Sequence, residues 1–386
     1  VRDGLIAAAL AFAAARTPLR DPHPHAPWVP DSFDYAIRML MRRGLSFEAA
    51  RAQARAFFAT TAVGTDPRYA PLFARAEPEW WRLFAPRWIY PALAAALYPR
   101  HGFAALVVVP RLAYVLEAPL LYRYARRFSS PPAAALATLW YLRAPQVRHV
   151  AGLALTDAPA LLFWTAGLDA AAHVAREGRG WTALAGAVGL LSFTRPLPYL
   201  PLGAGAALVL NGALRRDGTA ALRGGGITLL AGLATAAVLA VLVRAGMPET
   251  AAHLASVRAA QAADDTPWAR RLRERVARPL GLADEPHHSL GRWYASASVL
   301  TVATALYYAG RAVVPPLATL ALARRWRRPE VALALGAIAG SAGGILGDPL
   351  PLGSARTVVL PLYPIFAAGL GLALDALWAR ARAPRR

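Results

Sequence analysis

The chain has 386 residues, 56% of them hydrophobic and 17% charged, with a mean hydropathy of +0.34 and a formal net charge of +21. It contains no cysteine, which excludes disulfides and cysteine-ligated metal sites. Arginine supplies the whole basic excess, and it is spread through the segments between apolar runs, which argues against a nucleic-acid surface.

The apolar runs predict an all-α polytopic membrane protein, read as one integral membrane domain over 1–386. A helix needs roughly 20 residues to cross about 30 Å of hydrocarbon. About ten spans are expected, near 4–16, 103–122, 130–145, 156–174, 181–195, 197–213, 225–244, 295–322, 331–347 and 356–377. The first is followed by Arg16-Thr17-Pro18 rather than a small-residue cleavage site, so it reads as a retained span and not a signal peptide. A long loop over 17–102 comes next. Within it, Phe33, Ile37, Met41, Leu45 and Phe47 recur near helical spacing, predicting an amphipathic interfacial helix over 31–58. Residues 88–98, with Trp88, Tyr90 and Pro91, predict a second interfacial helix. Another long loop covers 246–292. Arginine clusters at Arg123–Arg127, Arg176 and Arg179, Arg215–Arg223, Arg324–Arg328 and Arg380–Arg386 fall at every second turn. By the positive-inside rule this predicts a multi-pass plasma-membrane protein with both termini cytoplasmic and both long loops outside.

Candidate chemistry concentrates in those loops. Asp31 and Asp34, in Pro30-Asp31-Ser32-Phe33-Asp34-Tyr35, are three apart and share a helix face. Asp31 reads either as an N-cap after Pro30 or as a functional acid; Asp34 is the better candidate for a general base. Asp157, in Leu155-Thr156-Asp157-Ala158-Pro159, reads equally as a helix-capping or a functional residue. Arg195, in Phe193-Thr194-Arg195-Pro196, and Arg356, in Ser354-Ala355-Arg356-Thr357, have no carboxylate nearby in sequence; they read as phosphate-binding forks or as interfacial arginines. Tyr35 and His288 complete the substrate-binding set. The His287-His288 spacing does not suit two metal ligands on one helix face. No phosphate-binding glycine loop, dinucleotide fingerprint or nucleophile elbow is present.

On these residues the chain resembles the C-type membrane glycosyltransferases, which include protein mannosyltransferases and the lipid A aminoarabinose transferase. The resemblance rests on one span followed by a loop opening on Asp31-Ser-Phe-Asp34-Tyr35, and on Arg87-Trp88-Ile89-Tyr90-Pro91, Thr156-Asp157, Phe193-Thr194-Arg195-Pro196 and Arg356-Thr-Val-Val-Leu-Pro361-Leu-Tyr-Pro364. It implies an inverting glycosyltransferase of the cell envelope, moving a sugar from a polyprenyl-phosphate donor to a lipid, glycan or protein hydroxyl. Asp34 or Asp31 would be the base, Asp157 a second acidic position, and Arg356 with Arg195 the donor-phosphate ligands. No cofactor is required by this scheme, and a divalent metal is left open. A transporter or flippase, or a non-catalytic protein of the same fold, is the alternative.

Overall fold

The computed structural model describes residues 2–19, 26–67, 69, 73, 87–215, 218–244, 314–347 and 359–382. Regular structure among them is helical.

Helix α1 (Arg2–Arg16) is followed by α2 (Pro30–Arg42). Val29 is the N-cap of α2 and Pro30 takes the first helical position, where a missing N–H costs nothing. The Ser32 hydroxyl turns back to accept the Val29 N–H at 3.1 Å. Asp31 is therefore inside the first turn, not the cap. The helix ends at Gly44, whose φ of +92° suits glycine alone. Ser46 then caps α3 (Phe47–Phe58) by accepting the Ala49 N–H at 3.3 Å. The single amphipathic helix expected over 31–58 is thus two helices, broken at Gly44. A short α4 (Ala62–Thr65) follows, capped by Thr61.

Next come α5 (Ile89–His101), a 3-10 turn at 102–104, α6 (Ala105–Arg126), α7 (Pro131–Arg143), α8 (Pro145–Gly152) and α9 (Asp157–Glu177). Then follow α10 (Trp181–Thr194), α11 (Tyr199–Ala213), α12 (Thr219–Arg244), α13 (Val314–Ala323), α14 (Pro329–Gly347) and α15 (Tyr363–Arg382). Helices α1, α6, α7, α9 and α15 share a large core around Leu121, Tyr141, Trp164 and Phe366, which continues through α10, α11, α13 and α14. A second core joins α2, α3, α5 and the start of α6 through Phe33, Ile37, Leu40, Phe58, Tyr90 and Leu106.

This second core corrects the interfacial reading of 31–58 and 88–98. The apolar face of α2 is covered by α3 and α5 rather than left for lipid. Tyr90 is buried and donates its hydroxyl to the Leu106 carbonyl at 2.6 Å.

The expectation of about ten spans is also corrected. Among the described residues three helical stretches are long and apolar enough to cross a membrane: Ile89–Arg126, Thr219–Ala237 and Leu360–Arg382. Helices α10, α11 and α13 are shorter apolar helices, the longest of them 15 residues. At 1.5 Å per residue, such a helix covers roughly 22 Å, short of the hydrocarbon thickness. Helix α9 is longer but buries two carboxylates, Asp157 and Asp169, along its length. With three candidates in place of ten, the alternation of sides that set a multi-pass plasma-membrane topology, cytoplasmic termini and an outward site no longer holds.

Candidate functional site

The site begins with backbone pairing between two segments far apart in sequence. The Ala154 N–H donates to the Pro27 carbonyl at 3.0 Å, and the Ser32 hydroxyl donates to the Ala154 carbonyl at 3.0 Å. These two bonds clamp the first turn of α2 against the chain entering α9. They bring Asp31, Asp34 and Tyr35 beside Thr156 and Asp157.

The floor of the site is buried. Tyr35 and Thr156 are fully buried, and their hydroxyls lie 3.3 Å apart. Arg87 donates to the Tyr35 hydroxyl at 3.0 Å. The Tyr35 ring packs edge-on against Tyr90 at 4.9 Å, which fixes the hydroxyl's direction. Behind this, Arg195 at the C-cap of α10 donates from Nη1 to Asp157 Oδ2 at 2.9 Å. That ion pair is also buried, Asp157 being 2% and Arg195 8% exposed.

The rim is formed by α2. Asp31, Asp34 and Arg38 follow one another at spacings of three and four, so they share the face opposite the buried Phe33, Ile37 and Leu40. All three are half-buried, as is Arg87. Burial and the neighbouring charge of Asp31 push the Asp34 carboxyl up to about 7, against the opposing pull of Arg38 and Arg87. Burial lowers Arg38 to about 10, opposed by Asp34 and Tyr35, so it keeps its charge at neutral pH. Burial also works against the charge on Arg87, but Tyr35, Asp31 and Asp157 around it leave its proton held more tightly than usual.

A cavity of about 10 Å³ lies beside the ion pair, lined by Asp157, Trp164, Arg195, Leu197, Leu360 and Pro361. That is room for about one water. A ligand reaching Asp157 would have to displace side chains, whereas Asp31, Asp34, Arg38 and Arg87 are each partly exposed.

Of the residues singled out in the sequence, the structure groups Asp31, Asp34, Tyr35, Asp157 and Arg195. Arg356 and His288 lie outside the described residues, as does the loop 246–292. Arg38 and Arg87 were missed. The first had a signal, standing four residues after Asp34 on the same helix; the second opens Arg87-Trp88-Ile89-Tyr90-Pro91, but nothing local shows that it meets Tyr35, 52 residues away. Among the described residues, no group of three or more His, Asp or Glu is placed to hold a metal ion.

This geometry and the fold correct the glycosyltransferase reading. That scheme needs a many-span membrane framework. Among the described residues, three candidate spans do not supply the framework. The transfer from a polyprenyl-phosphate sugar, the lipid-bilayer setting of the site, and the transporter or flippase alternative go with it. Comparison of the chain with protein-family models, with curated proteins and with solved structures gives no match, so the resemblance has no independent support.

Proposed function

We propose that the α2 rim is an acid–base site that binds an anionic ligand together with a proton, Asp34 being the group that exchanges it. The observation that carries this reading is the placement of Asp34, half-buried between Asp31 and the guanidiniums of Arg38 and Arg87, with its carboxyl pushed up to about 7. When Asp34 is ionised, Asp31, Asp34 and Asp157 balance Arg38, Arg87 and Arg195. When it is protonated, one positive charge is in excess. An anion drawn to Arg38 and Arg87 raises the proton affinity of Asp34 further, so ligand and proton bind together. A carboxyl titrating near neutrality also suits proton exchange with a hydroxyl of the bound ligand. Asp31 sets the proton affinity of Asp34, and Tyr35 and Thr156 form the polar floor. The Asp157–Arg195 pair holds that floor in place.

Sulfate tests this, because it stays fully ionised between pH 6 and 8 and contributes no proton of its own. Titration calorimetry of the full chain, in two buffers of different ionisation enthalpy, should show net proton uptake on sulfate binding near pH 7. Asp34→Asn and Arg87→Ala should each remove that uptake. Binding without proton uptake, or uptake unchanged in Asp34→Asn, refutes the proposal.

A further inference from the structure

A second cavity lies away from the α2 rim, where the C-terminal end of α11 meets the turn between α13 and α14. Its volume is about 1040 Å³, and its lining includes Arg176, Asn211, Trp326, Arg327, Arg328 and Glu330. This is at the upper end of the size of small-molecule sites, roughly 300–1,000 Å³.

Two buried polar side chains in that lining are incompletely satisfied. Asn211 is 3% exposed, and its Nδ2 donates to the carbonyls of Trp326 at 3.2 Å and Arg327 at 3.3 Å. Those two acceptors fix the orientation of the amide, because the flipped form would set its oxygen against two carbonyl oxygens. Asn211 Oδ1 is left buried with no hydrogen-bond partner. Glu330, also 3% exposed, has Oε2 in the same condition. Buried acceptors without donors are costly and are rarely left so. Both oxygens are closed off from solvent and belong to the cavity's wall.

The rest of the lining calls for negative charge. Arg176, Arg327 and Arg328 are exposed and form no ion pair among the described residues. Guanidinium forks match the oxygens of a phosphate. Trp326 is 45% exposed and carries the Arg327 guanidinium 6.0 Å from its ring centroid. An exposed indole beside a guanidinium is a platform on which a flat heterocycle stacks.

We infer that this cavity binds a nucleoside phosphate, its phosphate held by Arg176, Arg327 and Arg328 and its base on Trp326. Phosphate and flat ring occur together in that class of molecule, and inorganic phosphate supplies only the first. The inference rests on residues separate from those of the α2 rim, so either can fail without the other.

Titration calorimetry of the full chain with AMP, and in parallel with inorganic phosphate, tests it. AMP should saturate one site and bind at least about tenfold more tightly than phosphate. The double variant Arg176→Ala/Arg327→Ala should weaken both ligands about tenfold or more, as expected for lost charge-assisted hydrogen bonds. Trp326→Ala should weaken AMP and leave phosphate within about twofold, since only the base stacks. Thermal melts confirm folding; if the double variant melts early, Arg328→Ala replaces it and must weaken AMP. The inference is overturned by absence of saturable AMP binding, by phosphate binding as tightly as AMP, or by AMP affinity unchanged in the arginine variants.

Discussion

Arg195 reaches across 38 residues of sequence to donate to Asp157 at 2.9 Å, and both side chains are buried. The pair ties the end of α10 to the start of α9, beneath the hydroxyls of Tyr35 and Thr156. Two charges taken out of water repay their desolvation only while together, so removing one is worse than removing both. Asp157→Ala should destabilise the chain by about 3 kcal/mol, and Arg195→Met by a similar amount. The double variant Asp157→Leu/Arg195→Met should recover at least half of that loss. Chemical denaturation of all three, combined as a double-mutant cycle, checks it. Additive losses would show that the pair does not act as a unit.

That pair also marks how far the sequence could be read. Asp157 and Arg195 each stood out locally, the first beside a proline at a helix start and the second before Pro196. Nothing between them says that they meet, because the meeting depends on how α9 packs on α10. Gly44 was readable as a breaker and was passed over in favour of the apolar spacing on either side. The larger error has one physical source. Hydropathy alone does not show that the apolar face of α2 is covered by α3 and α5, or that the apolar helices α10 and α11 stop after 14 and 15 residues. The second cavity was invisible for the opposite reason. Its four contributing segments are separately unremarkable, and Asn211 gains its meaning only from the carbonyls of Trp326 and Arg327.

Asp34 gives the chain a distinctive dependence on pH. Its carboxyl, ordinarily near 3.8, is raised to about 7 in the folded chain. Between those values the native state holds a proton that the unfolded state has lost, so stability falls as pH rises. The stabilising contribution of neutral Asp34 is fully present below pH 3.8, declines as pH climbs through about 7, and is absent above it. The full shift corresponds to about 4 kcal/mol, and partial solvent screening reduces the expected effect to about 2 kcal/mol. Asp34→Asn should therefore stabilise the chain at pH 8 and leave it nearly unchanged at pH 4. Urea midpoints measured across that range decide the matter: a parallel pH profile for wild type and variant would mean that Asp34 does not titrate as described.

Helix α7 is capped from another helix. Asp375 on α15 accepts the Ser130 N–H at 2.6 Å and also the Ser130 hydroxyl, so a carboxylate sits at the positive end of α7. Backbone donors at a helix start need such partners, and negative charge there is favoured by the helix dipole. Asp375→Ala should cost about 1–2 kcal/mol, and Asp375→Asn should cost less because it keeps an acceptor. Hydrogen exchange offers a local readout: protection should fall in the first turn of α7 before it falls in α6. Uniform loss of protection across both helices would argue against a capping role.

Helix α11 lies between α14 and α12, and glycines set both distances. A Cβ at Gly203 would fall 2.3 Å from the Gly336 carbonyl oxygen, and one at Gly340 would fall 2.2 Å from the Tyr199 carbonyl oxygen. On the other side, a Cβ at Gly205 would stand 2.5 Å from the Leu229 nitrogen. These are backbone atoms, so no side-chain rotation relieves the clash, and the helices must separate. Gly203→Ala and Gly340→Ala should each cost about 2–3 kcal/mol, despite alanine's better helix propensity. The damage should extend to the far end of the pair. The α11–α14 contact holds Asn211 against the carbonyls of Trp326 and Arg327, so moving the helices apart breaks the frame of the second cavity. Gly343, on α14 but with open space around its Cβ position, is the control. Gly343→Ala should be neutral or stabilising, and a loss there equal to that at Gly340 would show that close helix approach is not the cause.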